Sequence, residues 1–330
     1  MIRNKKFTSA KPTKFQYLFD RIRHRERFEA MNEMPELNKK QIDLLSELKK
    51  NGYVILNNHI DKNKLKILKL EFNNALNEMK FKTPCLAQSK INNIKHADLL
   101  NKNLVATPEV LTQQGLAFQK EDCSNYNQVV DDFNPSTLTV PMLEYSDLFV
   151  KTWLDESILG LVAYYMGMVP QLVEAYVRRN FPAPYRTMNH YWHRDLNHHS
   201  YLLKALFFLN DCNMTTGPNE YVKGSCINKK QLNILNGQQY YTDNEVDTFY
   251  PPNSSERALS IVPAGTVIIE DTRGLHRANM PQSNYRDVGY AVFTPTLKNS
   301  PALYKIPPEL FKNTTELQRL FIPEQVARNN

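Results

Sequence analysis

His193-Arg194-Asp195 sets an imidazole and a carboxylate two residues apart, and on an extended backbone residues at that spacing share a face. His276 lies downstream as a third candidate metal ligand, and Arg286 follows ten residues after it. Two imidazoles and one carboxylate on one face leave coordination positions open, which suits Fe(II) that must also bind a co-substrate and O2. The tripeptide alone is a weak signal: with eight histidines in the chain, roughly 0.4 HxD matches are expected by chance, and a polar surface strand would carry one equally well.

The elements that must position these residues give them more weight. After Pro170 the texture changes to short strands and turns, with candidate strands at 171–179, 187–193, 201–209, 219–223, 258–262, 265–270 and 287–295. Strand 201–209 is apolar on both faces apart from Lys204, so it should be buried on both sides, and a lysine there needs an anionic partner or a route to water. Pro263-Ala264-Gly265 marks a tight turn, and the apolar run after it delivers His276 just past a buried strand. Many short strands with few helices predict a sandwich or jelly roll. Upstream, Ile42, Leu45 and Leu48 share a helical face that Asn51-Gly52 stops. A strand at 53–56 follows, and then a helix capped by Asp61. Residues 81–140 read as irregular cover, 146–166 as one helix, 228–257 as an inserted loop and 307–321 as a helix. The cover and the inserted loop would form a lid.

As an ordered set, Trp192-His193-Arg194-Asp195, the GPxxxVxGS segment at 217–225 and PAGT…DTRGLHR at 263–277 with Arg286 after it resemble the phytanoyl-CoA dioxygenase-like branch of the Fe(II)/2-oxoglutarate oxygenases. The resemblance runs from about Asn51 to Pro295, beginning with Gly52-Tyr53-Val54-Ile55-Leu56. It implies a mainly β, α+β chain built on a double-stranded β-helix (jelly roll, cupin-like) core. A basic arm (1–37) would precede a single domain (38–330) of helical cover (38–170), jelly-roll core (171–300) and C-terminal helix (301–330). His193, Asp195 and His276 would ligate iron, and Arg286 would hold the distal carboxylate of 2-oxoglutarate. A guanidinium grips a carboxylate through two parallel hydrogen bonds, which lysine matches less well. Lys204 and Asn189 are further candidates for the co-substrate, and Trp192 and Arg273 for the substrate pocket. Cys226 stands where the family often has His, and Ala278 where it often has Gly or Ser. Retention of Asp195 argues against halogenating relatives, which replace this carboxylate with a small residue. The implied reaction is hydroxylation of a small-molecule C–H bond with Fe(II), 2-oxoglutarate and O2, releasing succinate and CO2. A non-catalytic jelly-roll binding protein and an oxygenase directed at nucleotides or nucleic acid stay open as alternatives.

Charge narrows the second alternative. Of the formal +7, residues 1–30 hold nine basic and three acidic side chains, so +6 lies in this arm and about +1 in the rest. Phe15, Phe19 and Ile22 fall at helical spacing there, giving a basic amphipathic segment suited to an anionic surface or to docking on the main domain. Cys85, Cys123, Cys212 and Cys226 show no CxxC spacing, which reads as reduced thiols in a cytoplasmic setting. The sequence has no uninterrupted apolar run near the roughly 20 residues a bilayer requires.

Overall fold

The computed structural model describes residues 21–81, 104–109, 124–133, 135–183, 186, 188–195, 202–227, 240–295 and 302–328. Two sheets stack into a jelly roll. The larger has the order β1-β10-β6-β12-β4-β3-β2 and the smaller β8-β5-β11-β7-β9. In the larger sheet these are Tyr53–Leu56 (β1), Leu104–Ala106 (β2), Thr137–Val140 (β3), Gln171–Asn180 (β4), Leu203–Phe208 (β6), Val267–Glu270 (β10) and Arg286–Thr294 (β12). The smaller consists of Trp192–His193 (β5), Asn219–Val222 (β7), Tyr240–Tyr241 (β8), Arg257–Leu259 (β9) and His276–Ala278 (β11). The pairs are antiparallel except β2 with β3.

The alternation of β6 and β12 divides the molecule. Leu203, Ala205, Phe207, Ala291 and Phe293 face outward into the main core beneath the helices. Leu206, Phe208 and Val288 face inward, where they meet Ile268, Tyr53 and Tyr221 between the sheets. The helix Lys39–Asn51 starts with a capping box between Asn38 and Gln41 and ends on Gly52 at φ 77°, a left-handed conformation that costs glycine little. Asp61 caps Lys62–Glu78 by accepting from the backbone of Asn63 and Lys64. No helix of the described residues is long and apolar enough to cross a membrane.

Four expectations need correction. The single helix over 146–166 is two, Asp147–Trp153 and Glu156–Met166, because Asp155 leaves the helix to cap the second. The C-terminal helix is three short ones, Pro308–Phe311, Glu316–Leu320 and Glu324–Arg328. Thr315 starts a new capping box, and Pro323 follows the second helix. The irregular cover contributes β2 and β3 to the sheet edge. The inserted loop carries β8, the helix Asp243–Phe249 and the first residue of β9; its residues 228–239 lie outside the described residues. Residues 21–34 dock on the domain: Arg27 Nη1 donates to the Leu320 carbonyl at 2.7 Å, and Met34 is buried in the core. Phe15 and Phe19 lie outside the described residues.

Trp153 joins the cover to the barrel. It stacks on Phe207 at 4.3 Å and donates Nε1 to the Tyr290 carbonyl at 3.0 Å, lying flat on Gly289 of β12. A Cβ at residue 289 would run into the indole ring. Gly289→Ala should therefore destabilise the fold by about 1–3 kcal/mol, the usual cost of overpacking, read as a lower midpoint in urea denaturation.

Candidate metal centre

Strand pairing brings the three ligand candidates together. His193 on β5 sits directly opposite His276 on β11, and beyond that pair the Asp195 amide donates to the Thr272 carbonyl at 2.9 Å, tying the two segments together again. The imidazole rings lie 4.2 Å apart between centroids. One ligand atom from each of His193, Asp195 and His276 falls within 4.8 Å of the others. The Nδ1 atoms face backbone carbonyls, His193 that of Tyr191 at 2.8 Å and His276 that of Gly274 at 3.0 Å. A proton held on Nδ1 by a carbonyl leaves the Nε2 lone pair free, the state a metal ligand needs.

Electrostatics favour the same protonation states. Burial holds both histidines neutral and takes His276 down to about 3, with His193 beside it adding to the effect. Burial works to raise the Asp195 carboxyl, but the charge and hydrogen bond of Lys204 outweigh it, so Asp195 stays ionised. Lys204 Nζ lies 2.6 Å from Asp195 Oδ2. The residue that broke the apolar pattern of β6 thus has its anionic partner. A neutral-imidazole pair with an ionised carboxylate is a donor set suited to a divalent transition metal.

The remaining candidates separate. Arg286 is completely buried at the start of β12; its Nη1 makes two long contacts of 3.5 Å to the Thr216 and Asn279 carbonyls, while Nε and Nη2 have no hydrogen-bond partner. Lys204 lies at the metal end, six residues along the ladder from Arg286, since it pairs with Val292. Three residues are placed away from the barrel interior. Asn189 is exposed on the turn Met188–His190, which buries His190 in its stead. Trp192 points to the back of the small sheet, because adjacent strand residues alternate and His193 points in. There its ring lies between the guanidinium groups of Arg257 (4.9 Å) and Arg277 (4.6 Å), which share the Glu220 carboxylate. Arg273 is committed to Asp271, to which its Nε donates at 2.8 Å and its Nη2 pairs, while Tyr165 donates to the same carboxylate.

The barrel interior also contains residues the sequence reading passed over. Tyr240 on β8 stacks near His193 at 5.9 Å. Glu174, Tyr176 and Arg178 occupy alternate positions of β4, and Glu270 ends β10. Polar side chains at every second position of an otherwise apolar, doubly covered strand were the available signal.

No family model matches the sequence, and no curated protein sequence does. Among solved structures, EctD from S. alaskensis with 2-oxoglutarate and 5-hydroxyectoine aligns at a TM-score of 0.50 and 12% identity, over 88% of this chain and 90% of that one. The fold is the one EctD has. HygX from Streptomyces hygroscopicus with nickel and 2-oxoglutarate bound aligns at 0.46 and 14% identity, over 79% of this chain and 89% of that one. The epimerase SnoN in complex with Fe3+, alpha ketoglutarate and nogalamycin RO aligns at 0.47 and 14% identity, over 77% and 83%.

His190 yields a pH prediction independent of any metal. Burial, then the charges of Arg286, Arg186 and Arg178, push it down to about 3, against about 6.5 in an unfolded chain. Between those values the unfolded chain binds a proton that the folded chain does not. The associated stability is therefore complete above about pH 6.5 and is lost as the pH falls. Acidifying from pH 7 to pH 5 should cost the wild type about 2 kcal/mol more than His190→Gln, measured by denaturant titration at both pH values.

Proposed function

We propose that this chain is a non-haem Fe(II)- and 2-oxoglutarate-dependent oxygenase of the phytanoyl-CoA dioxygenase-like kind, hydroxylating a C–H bond of a small molecule with release of succinate and CO2. The observation that carries this reading is the inward-facing His193, Asp195 and His276 triad, with both Nδ1 atoms on backbone carbonyls. These three residues would hold the iron. With 2-oxoglutarate and O2, bound iron supplies the oxidising chemistry.

The rest falls to the chain's own side chains. The two carbonyls fix the tautomer and plane of each imidazole. Lys204 keeps Asp195 ionised and restricts its rotation by holding one carboxylate oxygen. Arg286 has a permanent charge and unpartnered donors, a combination that fits a carboxylate entering the barrel end-on. Between these ends, Leu206, Phe208, Ile268 and Val288 form an apolar lining that keeps water from the reacting centre.

Anaerobic addition of Fe(II) and 2-oxoglutarate should produce the weak visible charge-transfer band of the chelate. Its absence in the wild type, or its survival at full strength in a His193→Ala/His276→Ala variant, would remove the assignment. Arg286→Lys should raise the dissociation constant of 2-oxoglutarate by about tenfold or more, as expected for loss of a bidentate charge-assisted pair. Calorimetry with Ni(II)-loaded protein measures this, and metal affinity should be unchanged.

A further inference from the structure

The register of the large sheet sets one row of inward side chains beside the triad. Glu270 on β10 pairs with Lys204 on β6, Lys204 with Val292 on β12, and Val292 with Glu174 on β4. Residues paired in this way point to one face of the sheet. The Lys204–Asp195 contact identifies that face as the one toward the candidate metal centre. Both glutamates lie within electrostatic reach of Asp195 as well as of Lys204.

The row is over-supplied with acid. Lys204 is paired with Asp195, and neither Glu174 nor Glu270 has a hydrogen bond or an ion pair among the described residues, although Glu270 is only 4% exposed. Arg178 also lies within electrostatic reach of Glu174, but its Nε donates to Thr139 and its plane rests on the rings of Tyr176 and Tyr290. Three carboxylates therefore face two cations. Glu270 is buried and Glu174 half-buried, and carboxyls placed so without a partner leave acceptors open to a cationic group beside the candidate centre.

The adjacent row supplies walls. Tyr290 pairs with Tyr176, and their rings stand 5.1 Å apart. Tyr176 is 8% exposed, and its hydroxyl has no partner among the described residues. Polar acceptors, phenol hydroxyls and aromatic faces together suit an ammonium group, which takes charge-assisted hydrogen bonds from carboxylates and attraction from ring faces.

We propose that Glu174 and Glu270 form the cation subsite of the substrate pocket, and that the substrate is a compact polar molecule carrying an amine, held there with a nearby C–H bond presented to the triad. The proposal rests on the oxygenase reading for its chemistry but not for its binding test.

Isothermal calorimetry on the full chain, with and without Ni(II) and 2-oxoglutarate, would compare butanediamine and hexanediamine with their neutral isosteres butanediol and hexanediol. At least one amine should bind about tenfold or more tightly than its isostere, the equivalent of one charge-assisted hydrogen bond. Glu174→Gln/Glu270→Gln should abolish that preference while keeping the wild-type affinity for Ni(II). If the double variant does not fold, the single variants decide, and at least one must weaken the amine. No amine preference in the wild type, or a preference that survives both substitutions, would overturn the proposal. Amine preference without a chelate band would remove the oxygenase reading and leave the subsite standing.

Discussion

The candidate centre depends on one short antiparallel contact, the pairing of His193 with His276 and its extension through the Asp195 amide to the Thr272 carbonyl. Three ligands from segments some eighty residues apart in sequence are brought within bonding range of one point by two strands of only two and three residues. So short a ladder cannot hold its register by hydrogen bonds alone. It is braced on two sides. Behind it, Trp192 is held between Arg257 and Arg277, which reach Asp247 and Asp243 at either end of the helix Asp243–Phe249. Ahead of His276, Asp271 binds Arg273 and accepts from Tyr165 of the cover, fixing the turn that delivers the histidine.

The two faces of β6 show how one strand serves stability and chemistry together. Its outward residues belong to the main core that the helices close. Its inward residues grade from Lys204 at the metal end to Phe208 near Arg286. Along β6 the inward face thus runs from a charged residue to apolar ones, while β4, on the other side of β12, adds Tyr176 and Arg178 alongside them. Burial explains the direction of the altered protonation equilibria here: it raises the Glu174 and Glu270 carboxyls, the latter to about 7, and lowers the histidines.

Much of this was legible in the sequence because it depends on local patterns. The alternation of 201–209, the turn at 263–265, the Asp61 cap and the Gly52 stop each act within a few residues, and the strands and helices they predict are present. The triad was legible because HxD on an extended strand leaves little choice of geometry. The orientation of Trp192, Arg273 and Asn189 was not legible, for a different reason. Nearness in sequence to a ligand does not determine which side of the sheet a side chain faces, and that side depends on partners such as Glu220 and Asp271 contributed by other segments. Glu174 and Glu270 became interpretable only when the register of four strands was known, since nothing within β4 or β10 alone identifies Lys204 as a row-mate.

The chain has two tryptophans, and the fold puts one on the outer face of each sheet. Trp153 lies against Phe207 and Gly289 where the helical cover meets the large sheet. Trp192 lies between two guanidinium groups, in the residue next to His193 on the small sheet. The protein thus carries two built-in optical reporters with different electrostatic surroundings. One senses the docking of the cover, and the other senses the back of the strand that holds His193. Removing either indole would leave a single emitter, so events at the two sheets can be timed separately in the same molecule.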